Sequence, residues 1–264
     1  MILCLLCPKE FERPRQMKMH LHWHNPEKRA RWQSNLSNKT EKHHVGHGLR
    51  GIERPLWIMA DDKWRPKPSL ALAYVLGILK GDGSVTIWRR RSGYWAYMIQ
   101  LSTTSESFAS SFLLALKEIG LHPRRIYVTG NTSSGNTIYG VFCAGMLFIQ
   151  WYKSLGLEGI LEELKDVDYK VAFLRGFYES EGCATTNNGY LSVGFSSRSG
   201  ELIKCVQALL GNLGFHPNLS CSLRERDSKY EYTLRLTRSA EGASFLGRVK
   251  PCIKNDSKGL RIAE

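Results

Sequence analysis

Regular alternation of hydrophobic and polar positions begins after residue 68. The first element is Leu70–Asp82, an apolar run preceded by Ser69, and a serine at that place favours a helix with an N-cap. Two stretches with strand-like alternation follow, Val85–Arg91 and Tyr94–Thr103. An amphipathic stretch that begins at Ser105 and ends before a glycine then predicts a second helix.

The same order of elements continues and then occurs a second time. The remaining predicted elements are strands Arg124–Thr129 and Thr137–Cys143, helix Met146–Leu155, helix Tyr169–Glu181, strands Cys183–Thr186 and Tyr190–Ser197, helix Gly200–Leu213, strands Leu219–Arg226 and Tyr230–Thr237, and helix Ala240–Val249. Two landmarks, GLHP from Gly120 and GFHP from Gly214, lie 94 residues apart at equivalent places. We interpret this as an internal duplication and predict an α+β fold of two similar halves.

The first helix of each half carries the most informative stretch, VLGILKGDG in one and LRGFYESEG in the other. Small residues recur four positions apart in both, so two such helices can pack with their backbones nearly touching. Close packing would bring Asp82 and Glu181 together at the end of the seam. Two carboxylates held close need a divalent cation to neutralise them, and such a pair suits Mg²⁺ and phosphodiester hydrolysis.

Composition and charge narrow the class of partner. The chain has 264 residues, is 42% hydrophobic and 11% aromatic, and carries a formal net charge of +13. A globular chain this basic favours a polyanion, and nucleic acid is the first candidate. No apolar run is long enough for a membrane span, and the opening MILCLL is too short for a signal peptide, so we expect an intracellular, soluble protein with no membrane partner.

The first 24 residues contain a set of candidate zinc ligands. Cys4 and Cys7 have the spacing of a zinc knuckle, and His20 and His24 lie four apart on one helical face, so these four would hold a structural Zn²⁺. With these ligands the segment resembles a two-Cys two-His zinc finger. His22 competes with His24 as the fourth ligand, and chance spacing is the alternative. The resemblance implies DNA contacts from residues early in the finger's helix, namely Arg13, Arg15, Gln16 and Lys18.

The domain organisation follows from these patterns. Residues 1–24 are the predicted zinc finger, and residues 25–68 are basic, polar and without apolar periodicity, which is typical of a linker. The two halves of the duplication are assigned to residues 69–160 and 161–264. A single finger binds DNA weakly, so we expect it to assist another DNA-binding surface.

With both motifs in place, residues 69–264 resemble the single-chain, two-motif LAGLIDADG homing endonucleases. The resemblance implies two αββαββα halves about a pseudo-twofold axis, with antiparallel saddle-shaped sheets in the DNA major groove. It also implies a monomer that cleaves both strands of a double-stranded DNA target site with Mg²⁺, leaving short 3′ overhangs. The last acid of each motif falls on Asp82 and Glu181, the implied Mg²⁺ ligands; Lys80 stands where the family commonly has another acid.

Further site residues come from the resemblance and from strand alternation. Polar and basic groups near the attacking water would be Thr103 and Ser197 at strand ends, with Lys165 and Lys254 as candidate basic groups; a plain surface charge is equally compatible with each lysine. Alternation predicts the following DNA-facing residues: Thr86, Trp88, Arg90, Gln100, Ser102, Arg125, Tyr127, Ser192, Ser196, Arg224, Arg226, Thr233 and Arg235. A one-residue slip in Leu219–Arg226 would exchange the two faces of that strand.

Three other functions use the same features. The chain could be a maturase that assists the folding of its intron RNA, a DNA-binding regulator that does not cleave, or a structural nucleic-acid-binding protein. Both motif acids are present, and a regulator needs neither. The sequence therefore favours a metal-dependent DNA endonuclease.

Overall fold

The computed structural model describes residues 2–3, 10–11, 65–90, 94–187, 189–224 and 229–253. The chain divides into two units, residues 1–50 and 51–264. In the first unit, strands β1 (Ile2–Leu3) and β2 (Glu10–Phe11) pair antiparallel, with Ile2 opposite Phe11. In the sequence, Cys4 and Cys7 fall between these two strands.

Both halves of the duplication lie in the second unit. The first half contains α1 (Leu70–Lys80), β3 (Ser84–Arg89), β4 (Trp95–Thr103), α2 (Glu106–Glu118), β5 (Ile126–Asn131), β6 (Thr137–Ala144) and α3 (Met146–Ser154). The short helix α4 (Leu157–Glu163) follows. The second half contains α5 (Val167–Glu181), β7 (Gly182–Asn187), β8 (Tyr190–Ser197), α6 (Gly200–Asn212), β9 (Asn218–Arg224), β10 (Lys229–Leu236) and α7 (Ser239–Val249).

Each half contains one antiparallel four-stranded sheet. The strand orders are β3-β4-β6-β5 and β7-β8-β10-β9, so both sheets have the same topology. The α+β class and the repeated order of elements that the sequence predicts are confirmed. None of the helices in the described part of the chain is long and apolar enough to cross a membrane.

Serine caps fix where several helices begin. The hydroxyls of Ser69, Ser105 and Ser199 accept hydrogen bonds from backbone N–H groups three residues ahead, at 3.1 to 3.2 Å. Two of these helices also end alike, because Gly120 and Gly214 both have φ +84°, the left-handed conformation that glycine adopts at a helix end. The landmarks that indicate the duplication are therefore its helix-ending turns.

The central packing contact joins α1 and α5, whose glycines face one another. A Cβ on Gly77 would overlap the backbone carbonyl of Phe173, and a Cβ on Gly176 would overlap the carbonyl of Tyr74. The two helices therefore approach closely enough that any side chain at these positions would force them apart. Residues 71–79 of α1 are all buried, which accounts for their almost continuously apolar sequence.

Strand register separates a helix-covered face from an open face on each sheet. In β4 the buried residues Ile99 and Leu101 face the helices, and in β8 Leu191, Val193 and Phe195 do so. We call the opposite side of each sheet its open face. The alternation predicted from the sequence assigns these faces as the structure does.

The second half has one residue fewer than the first before its third strand, β9. Tyr127 pairs with Gly140 in the first sheet, and the equivalent pair in the second sheet is Ser220 with Thr233, 93 residues further on. The helix-ending glycines before these strands are 94 apart. One residue fewer before β9 therefore places its even-numbered positions, including Arg224, on the open face by register.

Two features differ from the sequence prediction. Helix α4 was not predicted, and it spans residue 160, where one half was expected to end. The apolar residues of this helix recur at helical spacing over little more than two turns, at Leu157, Ile160, Leu161 and Leu164. Of these, Ile160 and Leu164 are buried. In addition, α1 ends at Lys80 rather than at Asp82, because Gly81 and Gly83 both donate to the carbonyl of Ile78.

Candidate active site

The seam between α1 and α5 ends at the two motif acids. A Cβ on Gly81 would lie 3.0 Å from Cγ of Glu181 and would overlap Ser180, so the residue next to Asp82 touches the Glu181 side chain. Asp82 is exposed just beyond α1, and Glu181 is half-buried as the last residue of α5. The structure therefore brings the two predicted acids, one from each half, to the same end of the helix pair.

An open pocket of about 510 Å³ lies beside Asp82. Its polar lining consists of Asp82 and a group of hydroxyl-bearing residues, with Glu179 and Ile253 at its wall; the hydroxyl residues are Ser102, Thr103, Thr104, Ser105 and Thr132. In a solvent-open pocket of this kind the carboxylate can hold a cation, and the hydroxyls can donate hydrogen bonds to a phosphate group that the cation also contacts.

Thr103 and Ser197 occupy equivalent places at the ends of β4 and β8. The backbone N–H of Ser105 donates to Thr103 Oγ1 at 3.2 Å, and the N–H of Ser199 donates to Ser197 Oγ at 3.2 Å. Each hydroxyl thus accepts a bond from the residue that caps the next helix. Thr103 also lines the pocket beside Asp82, and Ser197 is not part of that lining.

Lys165 is not brought to the acids. It is exposed before the first turn of α5, whereas Glu181 is the last residue of that helix. The 15 residues of α5 alone span about 22 Å, which is far beyond the reach of a lysine side chain. The expectation that Lys165 assists catalysis is corrected on this ground. Lys254 lies outside the described residues, and its neighbour Ile253 lines the pocket.

A second motif acid, Glu179, has a different environment from Glu181. It is 1% exposed and accepts hydrogen bonds from the hydroxyl of Tyr74, from Arg175 Nε at 3.1 Å and from the backbone N–H of Cys252 at 2.6 Å. Burial, with the adjacent Glu179 carboxylate, raises the pKa of Tyr74, so this phenol remains a donor. Glu179 therefore joins α1, α5 and the segment after α7.

The equivalent position in the first motif is Lys80. Its ammonium group lies 5.3 Å from the centre of the Tyr152 ring, and Tyr152 donates a hydrogen bond to the carbonyl of Leu79 at 3.1 Å. Burial lowers the pKa of Lys80. The sequence indicated Lys80 as a departure from the family pattern, and the structure shows that its amino group is accommodated by an aromatic face.

The predicted DNA-facing residues of the first half lie on or beside its open face. Thr86, Trp88, Gln100, Ser102 and Tyr127 occupy that face by register. Arg90 and Arg125 are exposed next to strands β3 and β5, and the guanidinium of Arg125 lies 5.0 Å from the centre of the Tyr127 ring.

The second open face carries its predicted residues in the same way. Ser192, Ser196, Thr233 and Arg235 share it by register, and the hydroxyls of Ser196 and Thr233 are 3.2 Å apart. Arg224 is opposite Lys229 on this face. The sequence prediction did not include Ser220 and Ser222, which join the same face once the register of β9 is known.

Several predicted residues lie outside the described part of the chain. They are Arg13, Arg15, Gln16, Lys18, Arg226, Lys254 and the four zinc ligands Cys4, Cys7, His20 and His24. Among the described residues, no group of three or more His, Cys, Asp or Glu side chains is placed to hold a metal ion. The pair Asp82 and Glu181 nevertheless fits Mg²⁺, which commonly takes one or two protein carboxylates and completes its shell with water and phosphate oxygens.

Comparisons with known proteins agree with the duplication. A family model described as LAGLIDADG-like domain matches residues 69–155 and again residues 168–250, which together exceed half of the chain. The uncharacterized protein MJ0314 of Methanocaldococcus jannaschii is 29% identical over 188 residues, covering 69% of this chain and 68% of that protein. MJ0398 of the same organism is 27% identical over 161 residues, covering 58% of this chain and about half, 52%, of that protein.

Solved structures share the fold at low sequence identity. The homing endonuclease I-DmoI, solved with DNA and Mn, superposes with a TM-score of 0.50 at 19% identity, covering 69% of this chain and 97% of that one. Full-length WhiA from Thermatoga maritima gives a TM-score of 0.51 at 16% identity, covering 72% of this chain and 59% of that one. These likenesses show the fold alone.

Proposed function

The chain belongs to the LAGLIDADG-like family, and from that premise we propose that it is a site-specific DNA endonuclease. It would hydrolyse phosphodiester bonds on both strands of a double-stranded site with Mg²⁺ and leave short 3′ overhangs, as a homing endonuclease does. The observation that supports the proposal is that Asp82 and Glu181, from equivalent helices, both lie at the same end of one seam, where Gly81 touches the Glu181 side chain.

The residues around the end of the seam would divide the catalytic roles among them. Asp82 and Glu181 would hold the divalent ions, which supply charge stabilisation at the phosphate and lower the pKa of water. The hydroxyls of Thr103 and its neighbours would orient solvent in the pocket beside Asp82. Ser197 would do the same for the second half. Lys254, one residue beyond the pocket-lining Ile253, remains the candidate basic group.

DNA binding would use the two open faces. Both carry exposed arginines, Arg125 in the first half and Arg235 in the second, and the chain has a formal net charge of +13. One chain supplies both acids and both sheets, so it would act as a monomer. The basic segment 25–68 would add contacts to phosphates that weaken as salt rises.

The N-terminal unit would extend the DNA contact as a zinc finger. Cys4, Cys7, His20 and His24 would hold structural Zn²⁺, and Arg13, Arg15, Gln16 and Lys18 would contact bases. The hairpin formed by β1 and β2 supports this assignment, because two strands that enclose a Cys-x2-Cys pair are the first part of a ββα finger. Deletion of residues 1–24 should weaken DNA binding while cleavage persists.

The test selects the target site from random DNA. A plasmid library with a randomised insert is incubated with the protein and Mg²⁺, and the ends of linearised molecules are sequenced. We expect recurrent paired cuts with short 3′ overhangs. Asp82→Asn and Glu181→Gln should each lower cleavage by about a thousandfold while DNA binding remains, since removal of one stabilising group commonly costs that much. Glu162→Gln, on an exposed position of α4, is the control.

Other results would reject the nuclease. Enrichment of one DNA sequence by binding, with no cutting by the unmodified protein, would identify a non-cleaving DNA-binding regulator. Stronger binding to structured intron RNA than to any DNA would identify a maturase. Cutting that survives both acid substitutions would show that the seam is not the catalytic centre.

A further inference from the structure

The two open faces are equivalent in register but differ in the side chains at their centres. In the first sheet Gln100 pairs with Phe142, and the equivalent pair in the second sheet is Gly194 with Arg235. Tyr127 in the first sheet is likewise replaced by Ser220 in the second. The duplication therefore preserved the backbone of this surface while its side chains diverged.

The centre of the first open face is apolar. We define the aromatic patch as Trp88, Met98, Tyr127 and Phe142. Trp88 is 40% exposed, and the rings of Tyr127 and Phe142 meet edge to face with their centres 6.0 Å apart. A Cβ on Gly140 would approach the Phe142 ring to 2.7 Å, so this ring lies across a glycine and the patch remains low and accessible.

The centre of the second open face bears hydroxyls. We define the hydroxyl patch as Ser192, Ser196, Ser220, Ser222 and Thr233, with Arg235 exposed beside it. Ser196 and Thr233 share a hydrogen bond across the strands, and Ser220 donates to the carbonyl of Thr233 at 3.4 Å. Tyr190 is the aromatic residue of this face within the described chain, and it lies next to the hairpin turn rather than in the centre.

An exposed apolar patch favours a partner that presents apolar groups, and the charges around the patch indicate the class of that partner. The guanidinium of Arg125 lies over the Tyr127 ring at the patch edge, and Arg90 is exposed beyond β3. A positively charged rim around apolar side chains suits a polyanion that also presents apolar groups. In double-stranded DNA those groups are the thymine methyls of the major groove.

On the basis of the proposed DNA-directed function, we propose that the two halves recognise chemically different half-sites. The first half recognises A·T pairs, with the aromatic patch against thymine methyls and Gln100 at adenine. The second half recognises hydrogen-bonding base edges, with Arg235 at guanine and the hydroxyl patch donating to or accepting from either base type. Specificity at the first half-site therefore depends on methyl contacts in addition to the hydrogen bonds of Gln100, whereas at the second it depends on hydrogen bonds alone.

The first experiment is a binding selection from randomised double-stranded DNA. The full-length Asp82→Asn/Glu181→Gln protein is used with Mg²⁺ so that bound DNA is not cut. We expect one half of the enriched site to be rich in A·T pairs and the other half to contain an invariant guanine. Because this selection measures binding, it does not depend on cleavage.

The second experiment removes methyl groups without changing hydrogen bonding. Thymines of the enriched DNA are replaced by uracil in one half-site at a time, and the dissociation constant is measured. We expect about a fourfold loss for each methyl that the aromatic patch covers, and no change when the other half-site is substituted. Equal losses in both half-sites, or none in either, would overturn the inference.

Protein variants assign the half-sites. Trp88→Ala should reduce the methyl effect in the A·T-rich half-site, and Arg235→Ala should relax selection for guanine about tenfold in the other. Leu114→Ala is the control, since Leu114 is exposed on α2, away from both faces. Thermal denaturation of each variant checks folding, and the uracil experiment uses DNA changes alone, so it stands whatever the variants do.

The outcomes separate this inference from the nuclease proposal. A methyl effect confined to one half-site, without cleavage by the unmodified protein, would support the inference and reject the nuclease. Specific cleavage with no methyl effect would do the reverse. Failure to enrich any DNA sequence would overturn both.

Discussion

The two motif helices are alike along their shared seam and differ two residues before the motif acids Asp82 and Glu181. Gly77 and Gly176 are equivalent, and each touches the backbone of the opposite helix. At the next turn one helix has Lys80, half-buried over an aromatic ring, and the other has Glu179, buried and held by three donors. Steric demands kept the first pair identical, whereas the second pair was free to diverge.

The comparison teaches that a motif position can be conserved in geometry without being conserved in charge. Glu179 fastens the segment after α7 to the seam, through the N–H of Cys252. Lys80 instead contacts Tyr152 of its own half. At each position a motif helix packs against another segment of the protein. The hydrogen-bond donors around Glu179 stabilise an acid there, and the Tyr152 ring stabilises the cation of Lys80.

The largest expected effect tests the identical pair. Gly77→Ala and Gly176→Ala should each lower the free energy of unfolding by about 4 kcal/mol, above the usual cost of overpacking because each new methyl meets backbone. Urea denaturation measures this, and Gly211→Ala, where a Cβ would meet nothing, is the control. If either seam variant were as stable as the control, the close approach of α1 and α5 would be wrong.

The second-largest effect is expected when the buried carboxylate of Glu179 is removed. Glu179→Ala should cost about 3 kcal/mol in the free energy of unfolding, because the Tyr74 hydroxyl and the Cys252 N–H lose their acceptor inside the protein. Glu162→Ala on the exposed face of α4 should change stability by less than about 0.5 kcal/mol. A Glu179 variant that matched this control would mean that the buried hydrogen bonds contribute nothing.

Stability at alkaline pH tests the burial of Tyr152, the aromatic residue that Lys80 contacts. Burial raises the pKa of Tyr152 to about 12, against about 10 in an unfolded chain. Above pH 10 the unfolded state therefore loses a proton that the folded state keeps, and the stability present below pH 10 falls by up to about 1.4 kcal/mol per pH unit. Tyr152→Phe should remove that part of the decline between pH 9 and 11. An unchanged slope would contradict the burial of this phenol.

The smallest effect is expected at Lys80 itself. Lys80→Met should change the free energy of unfolding by no more than about 0.5 kcal/mol, since the aliphatic stem is preserved and a half-buried ammonium gains little from its charge. The measurement is the same urea denaturation. A loss comparable to that of Glu179→Ala would show that the two positions are equivalent in energy despite their different chemistry.

Much of the candidate site could be predicted because it depends on local patterns. Asp82 and Glu181 follow apolar runs with small residues at helical spacing, and the open faces follow strict strand alternation. Lys165 was misplaced because a position in the sequence says little about which end of a packed helix faces the site. Helix α4 was missed because its single apolar stripe is shorter than the window over which helical periodicity becomes evident.

The sequence by itself determined the duplicated α+β plan, the serine caps, the glycine turns and the presence of an acid at the end of each motif stretch, since each of these elements depends on residues near one another in the chain. Only the tertiary structure decided that Glu179 is buried while Glu181 lies at the seam end, because the burial of Glu179 depends on Tyr74 of α1 and on Cys252 after α7, which come from distant parts of the chain. It also decided that Ser220 and Ser222 share a face with Arg235, because register is set by hydrogen bonding between strands.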